Sequence, residues 1–215
     1  MKKRILCFGD SLTWGADPTD IARFGEEDRW PMVLQHELGD GYQIIEEGQC
    51  GRTIATDDPA EGEKNGIKYI LPCMESHDPF DLLIIMLGTN DCKCKFGYPA
   101  FEIAGEMREF IEKVLAFNRF RCNDRFKVLL MSPPVISEAI KDSWLGESFG
   151  YESSIKKSAG LAEWYKKIAD MYGCLFLNAA EYAKTSEKDG IHMDPEEHRK
   201  LGRAVADHIK NVIRL

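Results

Sequence analysis

Residues 81–91 read DLLIIMLGTND: one acid, six consecutive apolar residues, then Gly88-Thr89-Asn90-Asp91. A strand with one wet face alternates apolar and polar residues. An unbroken apolar run closed by turn formers is expected of a strand covered on both faces, as in a parallel sheet sandwiched between helices. Four other runs, at residues 4–8, 42–45, 127–131 and 174–177, read as strands. Helical spacing lies between them. Residues 30–38 open with Pro31, residues 66–75 carry Ile67, Ile70, Leu71 and Met74, and residues 102–120 repeat Ile103, Met107, Phe110, Ile111, Val114 and Leu115. Residues 153–171 line up Leu161, Trp164, Tyr165 and Ile168, and a last helix starts from Asp194-Pro195 and ends near 213. Strands alternating with helices predict an α/β chain folded as three layers, α/β/α, with one domain over 1–215. The stretches 16–28 and 132–152 are expected to be long loops at strand C-termini, where open parallel sheets bind ligands.

Composition narrows the function. The chain has 215 residues, is 44% hydrophobic and 30% charged, and carries a formal charge of −8, so a folded core is expected. An acidic balance argues against nucleic acid and against an anionic membrane surface. The apolar run after the start is too short for a secretory signal, and no segment approaches a membrane span, so a cytoplasmic home is expected. Seven scattered cysteines do not imply a disulfide framework. Cys92 and Cys94 lack a second ligand pair at zinc-finger spacing and read as reduced thiols.

Four short motifs fall at predicted strand ends. Ser11 sits in Gly9-Asp10-Ser11-Leu12 after the first strand, Gly48 to Gly51 follow the second, and Asn90 follows the third. Asp189-Gly190-Ile191-His192 precedes the last helix. In a parallel sheet these ends share one edge, so residues about 80–180 positions apart can meet where strand order reverses. A serine hydroxyl needs a neighbouring base. His192 can supply it, Asp189 can hold the other ring N–H, and the N–H groups of Ser11 and Gly51 with the Asn90 amide can receive an oxyanion. Taken singly, each motif also reads as a turn or cap; together they fill every role acyl transfer requires.

The blocks GDSLTWG at 9–15, GQCGRT at 48–53, GTND at 88–91 and DGIH at 189–192 resemble the SGNH (GDSL) hydrolases in order and spacing, over about residues 5–195. KRILCFGDSLTWG, IIEEG, DLLIIMLGTND and MSPP look most like the bacterial arylesterase/acyltransferase branch. The resemblance implies a flavodoxin-like five-stranded parallel sheet of order 2-1-3-4-5. It also implies metal-free, cofactor-free hydrolysis of small esters, with acyl transfer to alcohols as a side activity. The alternatives are a carbohydrate O-deacetylase of the same fold and a non-catalytic binding protein. The commoner family form has Asn, Ser and Asp where this chain has Glu46, Cys50 and Arg52. Gly51 is retained, so the backbone donor persists and the change is expected to fall on the pocket.

Trp14, Trp144 and Phe149 are candidates for the substrate pocket, and equally for core or oligomer contacts. His36, His198 and His208 are expected to be solvated on helices, and His77 to sit in a Ser-His-Asp-Pro turn. Asp194 fits a helix N-cap better than a partner of His192, while Asp10 and Asp91 are expected to orient loops. There is no G-x-S-x-G elbow around Ser11, which argues against an α/β-hydrolase. Val135, Ile136, Trp144, Leu145 and Phe149 in the 132–152 stretch are expected to need covering, hence a homo-oligomer.

Overall fold

Each apolar run becomes a strand in the computed structural model, which describes residues 2–20 and 22–213. The strands are β1 (Lys3–Gly9), β2 (Tyr42–Gly48), β3 (Leu82–Met86), β4 (Lys127–Ser132) and β5 (Leu175–Asn178). All pairings are parallel and the order is β2-β1-β3-β4-β5, as expected. Gly9 pairs with both Gly48 and Met86, so three strands end at one level and their following loops share one edge.

Alternate strand residues feed two cores, which is why the runs are apolar throughout. Leu6, Phe8, Leu83, Ile85, Val128 and Leu130 face one core with α3 (Gly66–His77), α4 (Ala100–Cys122) and α6 (Glu152–Tyr172). Ile5, Cys7, Leu82, Ile84, Leu129 and Met131 face the other, with α2 (Trp30–Leu38) and α7 (Pro195–His208). Two short α-helices, α1 (Ser11–Trp14) and α5 (Gly146–Phe149), complete the set of α-helices among the described residues.

The departures from expectation have local causes. β2 runs on through Glu46 and Glu47 because it is the edge strand, where every residue stays at least partly accessible and charged side chains are tolerated. The 132–152 stretch is not structureless: it holds a 3-10 turn at Glu138–Asp142 and α5. It also covers its own apolar residues. Ile136 and Phe149 are buried, Val135 and Leu145 partly so, and only Trp144 stands out at 68% exposure. The exposed patch expected to recruit a second copy is therefore not there.

His36 is exposed as expected, but His198 is wholly buried. It lies on the α7 face carrying Leu201 and Val205, where its Nδ1 accepts the Trp30 N–H at 3.4 Å and its ring meets the Phe24 edge. His208 is half-buried, and His77 is the last residue of α3 rather than part of a turn. Among the described residues no helix is long and apolar enough to cross a membrane.

Candidate active site

Ser11 opens α1, two residues beyond the end of β1. The turn is fixed by Asp10, whose Oδ1 accepts the Leu12 N–H at 2.9 Å as an N-cap. The Ser11 N–H belongs to the first turn, where helical N–H groups have no intrahelical acceptor, so it is available to an incoming oxygen. After β2, residues 49–52 form a turn closed by Arg52 N–H to Gln49 O at 3.1 Å, with Gly51 at φ +81°. That left-handed conformation favours glycine at the third turn position. Gly48 is required for a different reason: a Cβ there would lie 2.2 Å from the Trp14 backbone nitrogen.

The 189–192 turn is built around one carboxylate. Asp189 Oδ1 accepts the N–H groups of Ile191 and His192, both at 2.9 Å, leaving Oδ2 for the His192 Nδ1 at 2.5 Å. The His192 Nε2 then lies 3.0 Å from the Ser11 Oγ, across 181 positions of sequence. Asp189 is fully buried, whereas Ser11 and His192 keep a sliver of exposure, 6% each, toward the solvent side. Asp194 is kept out of this relay: it caps α7 by position and pairs its side chain with Lys188 at 3.1 Å.

Asn90 Nδ2 donates to the Arg52 carbonyl at 3.1 Å, which ties the third strand end to the second and leaves the amide a second N–H. The neighbouring Asp91 Oδ1 accepts the Ile54 N–H at 2.9 Å, a loop-orienting contact like that of Asp10. Burial, joined by the proximity of Glu106, pushes the Asp91 carboxyl well above the usual range. Burial likewise lifts Asp10 to about 6, against opposing pulls from the Leu12 N–H, His192, Arg52 and Thr89.

A cavity of about 200 Å³ opens at this edge, lined by Ser11, Gly51, Asn90 and His192. Trp144, Leu145, Phe149 and Ile191 supply apolar wall, and Cys50, Glu61 and Lys93 complete it. Of the three pocket candidates, Trp144 and Phe149 are lining residues. Trp14 is not: its ring lies beneath the Arg23 guanidinium, 5.5 Å away, and Arg23 Nε donates to its carbonyl. Glu61 and Lys93 were missed in sequence. Lys93 is 5% exposed and its Nζ lies 2.7 Å from Glu61 Oε1 and 3.3 Å from Asp58 Oδ2. Burial would raise both acids, but Lys93, with Lys95 for Asp58 and Lys64 for Glu61, holds them below the usual carboxylate range. Burial lifts the Cys50 thiol to about 11, so it stays protonated near neutrality. A larger hollow of about 510 Å³ between α4 and α6 is lined by Phe101, Trp164 and Met171 and carries no nucleophile, so volume alone does not locate the chemistry.

Glu46, Cys50 and Arg52 divide. Only Cys50 lines the cavity. Glu46 receives the Arg29 guanidinium through both oxygens, at 2.9 and 2.8 Å. Arg52 is 2% exposed, stacks 4.2 Å from the Phe8 ring, and donates from Nη1 to the carbonyls of Gly9 and Glu47. These two residues brace the strand ends rather than shape the pocket.

Comparison with known proteins identifies the family. Residues 7–200 match the model of the GDSL-like lipase/acylhydrolase family. A search of curated proteins gives no match. Among solved structures, the chain is similar to Est24, a carbohydrate acetylesterase from Sinorhizobium meliloti, with 39% identity and a TM-score of 0.90 over 97% of this chain and 99% of that one. It is also similar to the aryl esterase of M. smegmatis, with 37% identity and a TM-score of 0.90 over 98% and 99%. A carbohydrate acetylesterase family member from Sinorhizobium meliloti shares 34% identity, with a TM-score of 0.88 over 99% and 100%. With that match spanning nearly all of the sheet and the loops at its C-terminal edge, the chain belongs to the GDSL-like lipase/acylhydrolase family and is a carboxylic ester hydrolase of the three-layer SGNH fold.

Proposed function

We propose that this protein hydrolyses small esters through an acyl-enzyme on Ser11. The observation that carries the reading is the relay Asp189–His192–Ser11, at 2.5 and 3.0 Å, opening onto a cavity of about 200 Å³. His192 Nε2 takes the Ser11 hydroxyl proton as Oγ attacks the ester carbonyl. The developing oxyanion is received by the N–H groups of Ser11 and Gly51 and the free N–H of Asn90. His192 returns its proton to the leaving alcohol, then deprotonates the water that frees the acid. Asp189 holds the imidazole tautomer and stabilises the imidazolium throughout. An alcohol in the place of that water receives the acyl group instead, which is acyl transfer.

The volume favours a short acyl group: a cavity of this size sits below the range usual for drug-sized ligands. Glu61 and Lys93 on its wall favour a second reading for the alcohol portion. A charged pair beside the oxyanion turn offers an acceptor and a donor to hydroxyl groups, and Trp144 at the mouth offers a face on which a sugar ring can stack. A carbohydrate O-acetyl ester, the substrate type named for Est24, fits that wall; an aryl acetate uses only the apolar side.

The test is p-nitrophenyl acetate hydrolysis by the wild type and Ser11→Ala, with an active-site serine label located by mass spectrometry. Loss of activity in the variant, with the label on Ser11, is expected. Equal activity in both would remove Ser11 as nucleophile. Comparing acetylated sugars with aryl acetates by kcat/KM then decides between the two alcohol classes.

A further inference from the structure

The geometry points to a binding site for a zinc-type divalent cation formed by Glu47, Cys73 and His77, on the α3 side of edge strand β2. The Glu47 carboxylate, the Cys73 thiol and the His77 imidazole each place one donor atom within 4.8 Å of the other two. Cys73 and His77 are four apart on α3 and so project from one helix face, while Glu47 reaches them from the strand. None of the three lines the catalytic cavity, so the site is separate from the ester chemistry.

A tetrahedral ion would have to adjust the present spacing, in which the three donors lie within 4.8 Å of one another. Bond lengths of about 2.0–2.1 Å to nitrogen or oxygen and about 2.3 Å to sulfur put ligand atoms about 3.3–3.6 Å apart. Glu47 Oε1 and His77 Nε2 stand 2.7 Å apart, so an ion entering between them has to spread that pair slightly. Thiol, imidazole and carboxylate together select zinc or cobalt over magnesium and calcium, which prefer all-oxygen shells. The Glu47 and His77 side chains keep 19% and 26% exposure, leaving a way in and room for water as a fourth ligand.

An ion pair between Glu47 and His77 accounts for two of these side chains without any cation. The thiol, buried at 1% exposure, hydrogen-bonds the same carboxylate, so one point collects a sulfur, a nitrogen and an oxygen donor. Arg52 works against the site: its guanidinium lies 5.4 Å from the Tyr69 ring, and Tyr69 Oη is 3.5 Å from Glu47 Oε2. Two anionic ligands offset that charge. On binding, the cation forms a bond to the Cys73 sulfur, the thiol proton leaves to solvent, and His77 Nε2 binds in its unprotonated form. The ion would pin α3 to the edge strand that leads into the Gly51 turn.

The experiment titrates metal-free protein with Zn2+ against a chromophoric chelator, and with Co2+ by absorption, for the wild type, Cys73→Ser and His77→Gln. Expected are one equivalent bound by the wild type and a thiolate-to-cobalt charge-transfer band in the near ultraviolet. Cys73→Ser should abolish the band, and each variant should weaken Zn2+ binding by more than the about 10–100-fold that follows loss of an outer-shell partner. His77→Gln can keep a hydrogen bond to Glu47, so its loss of affinity reports ligation rather than packing. Retained ester hydrolysis in both variants reports that they are folded. No uptake by the wild type, or equal uptake in wild type and the folded His77→Gln variant, would overturn the assignment.

Discussion

Asp10→Asn should make the protein more stable at neutral pH while making it a poorer enzyme. Asp10 is fully buried beneath Ser11, and its Oδ1 holds the Leu12 N–H. Burial raises its carboxyl from the ordinary 3.8 to about 6, and at about 1.36 kcal/mol per pH unit that displacement is worth about 3 kcal/mol. Between about pH 4 and 6 the unfolded chain has released this proton while the native chain still holds it. Native protein therefore binds more protons in that window, and stability falls as pH rises through it. Above it the wild type carries a buried carboxylate. Asparagine keeps the cap acceptor and the shape without the buried charge. Urea denaturation of both proteins from pH 4 to 7.5 should show their difference growing by about 3 kcal/mol in favour of the variant, nearly all of it gained by pH 7. A difference constant with pH would refute the argument, because it would mean Asp10 titrates alike in the folded and unfolded chains. At pH 7.5 kcat/KM should fall, since the lost negative charge is one that favours the His192 imidazolium.

Further outcomes follow from the same contacts. Asp189→Asn should lower kcat for p-nitrophenyl acetate by about 10²–10⁴, because the amide no longer fixes the imidazole tautomer; a loss under threefold would argue that His192 is oriented by its backbone alone. Asn90→Ala should lower kcat by about 10²–10³ with KM little changed, and a pure KM effect would move Asn90 from the oxyanion to ground-state binding. Arg52→Met should cost about 2–4 kcal/mol in urea melts, since Gly9 O and Glu47 O each lose a charged donor in a dry setting; an unchanged midpoint would show that other donors or water reach those carbonyls.

Much of this molecule was legible in sequence because parallel sheets write their strands plainly. A run such as 82–87 has to be apolar on both sides, and its C-terminal turn has to carry the chemistry. Ser11, Asn90, Asp189 and His192 therefore stood out as short local motifs, and the strand order placed them on one edge. The charged wall did not stand out. Glu61 lies in a stretch without period, and its partner Lys93 is 32 positions away, a pairing no local pattern encodes. His198 misled for a related reason. Its residue type suggests solvent, while its place on the Leu201–Val205 face of α7 dictates burial, and burial holds it neutral with its pKa lowered to about 3. Trp14 reads as a pocket candidate because it is an aromatic residue near the predicted cleft, yet the side chain that claims its ring is Arg23.

The departures at 46 and 52 show why the second block has to be read as a unit. Neighbouring β2 side chains point to opposite faces, so Glu46 meets Arg29 and Arg23 on the α2 side. Arg52, by contrast, lies against Phe8 and Tyr69 on the α3 side. A buried charge persists only when it is paired or hydrogen-bonded, and each of these is. The turn they flank is closed by backbone, through the positive φ of Gly51 and the Arg52 N–H to Gln49 O bond, with Arg52 Nη2 also donating to Gln49 Oε1 at 3.2 Å. An Asp at 52 alone would set a carboxylate where Gly9 and Glu47 now offer carbonyl oxygens to a donor, near Asp10 and Glu47, with only acceptors to face. A Asn at 46 alone would leave the nearly buried Arg29 guanidinium without its carboxylate. The Gly51 turn can thus persist while its supports change, but only if each support changes together with its partner.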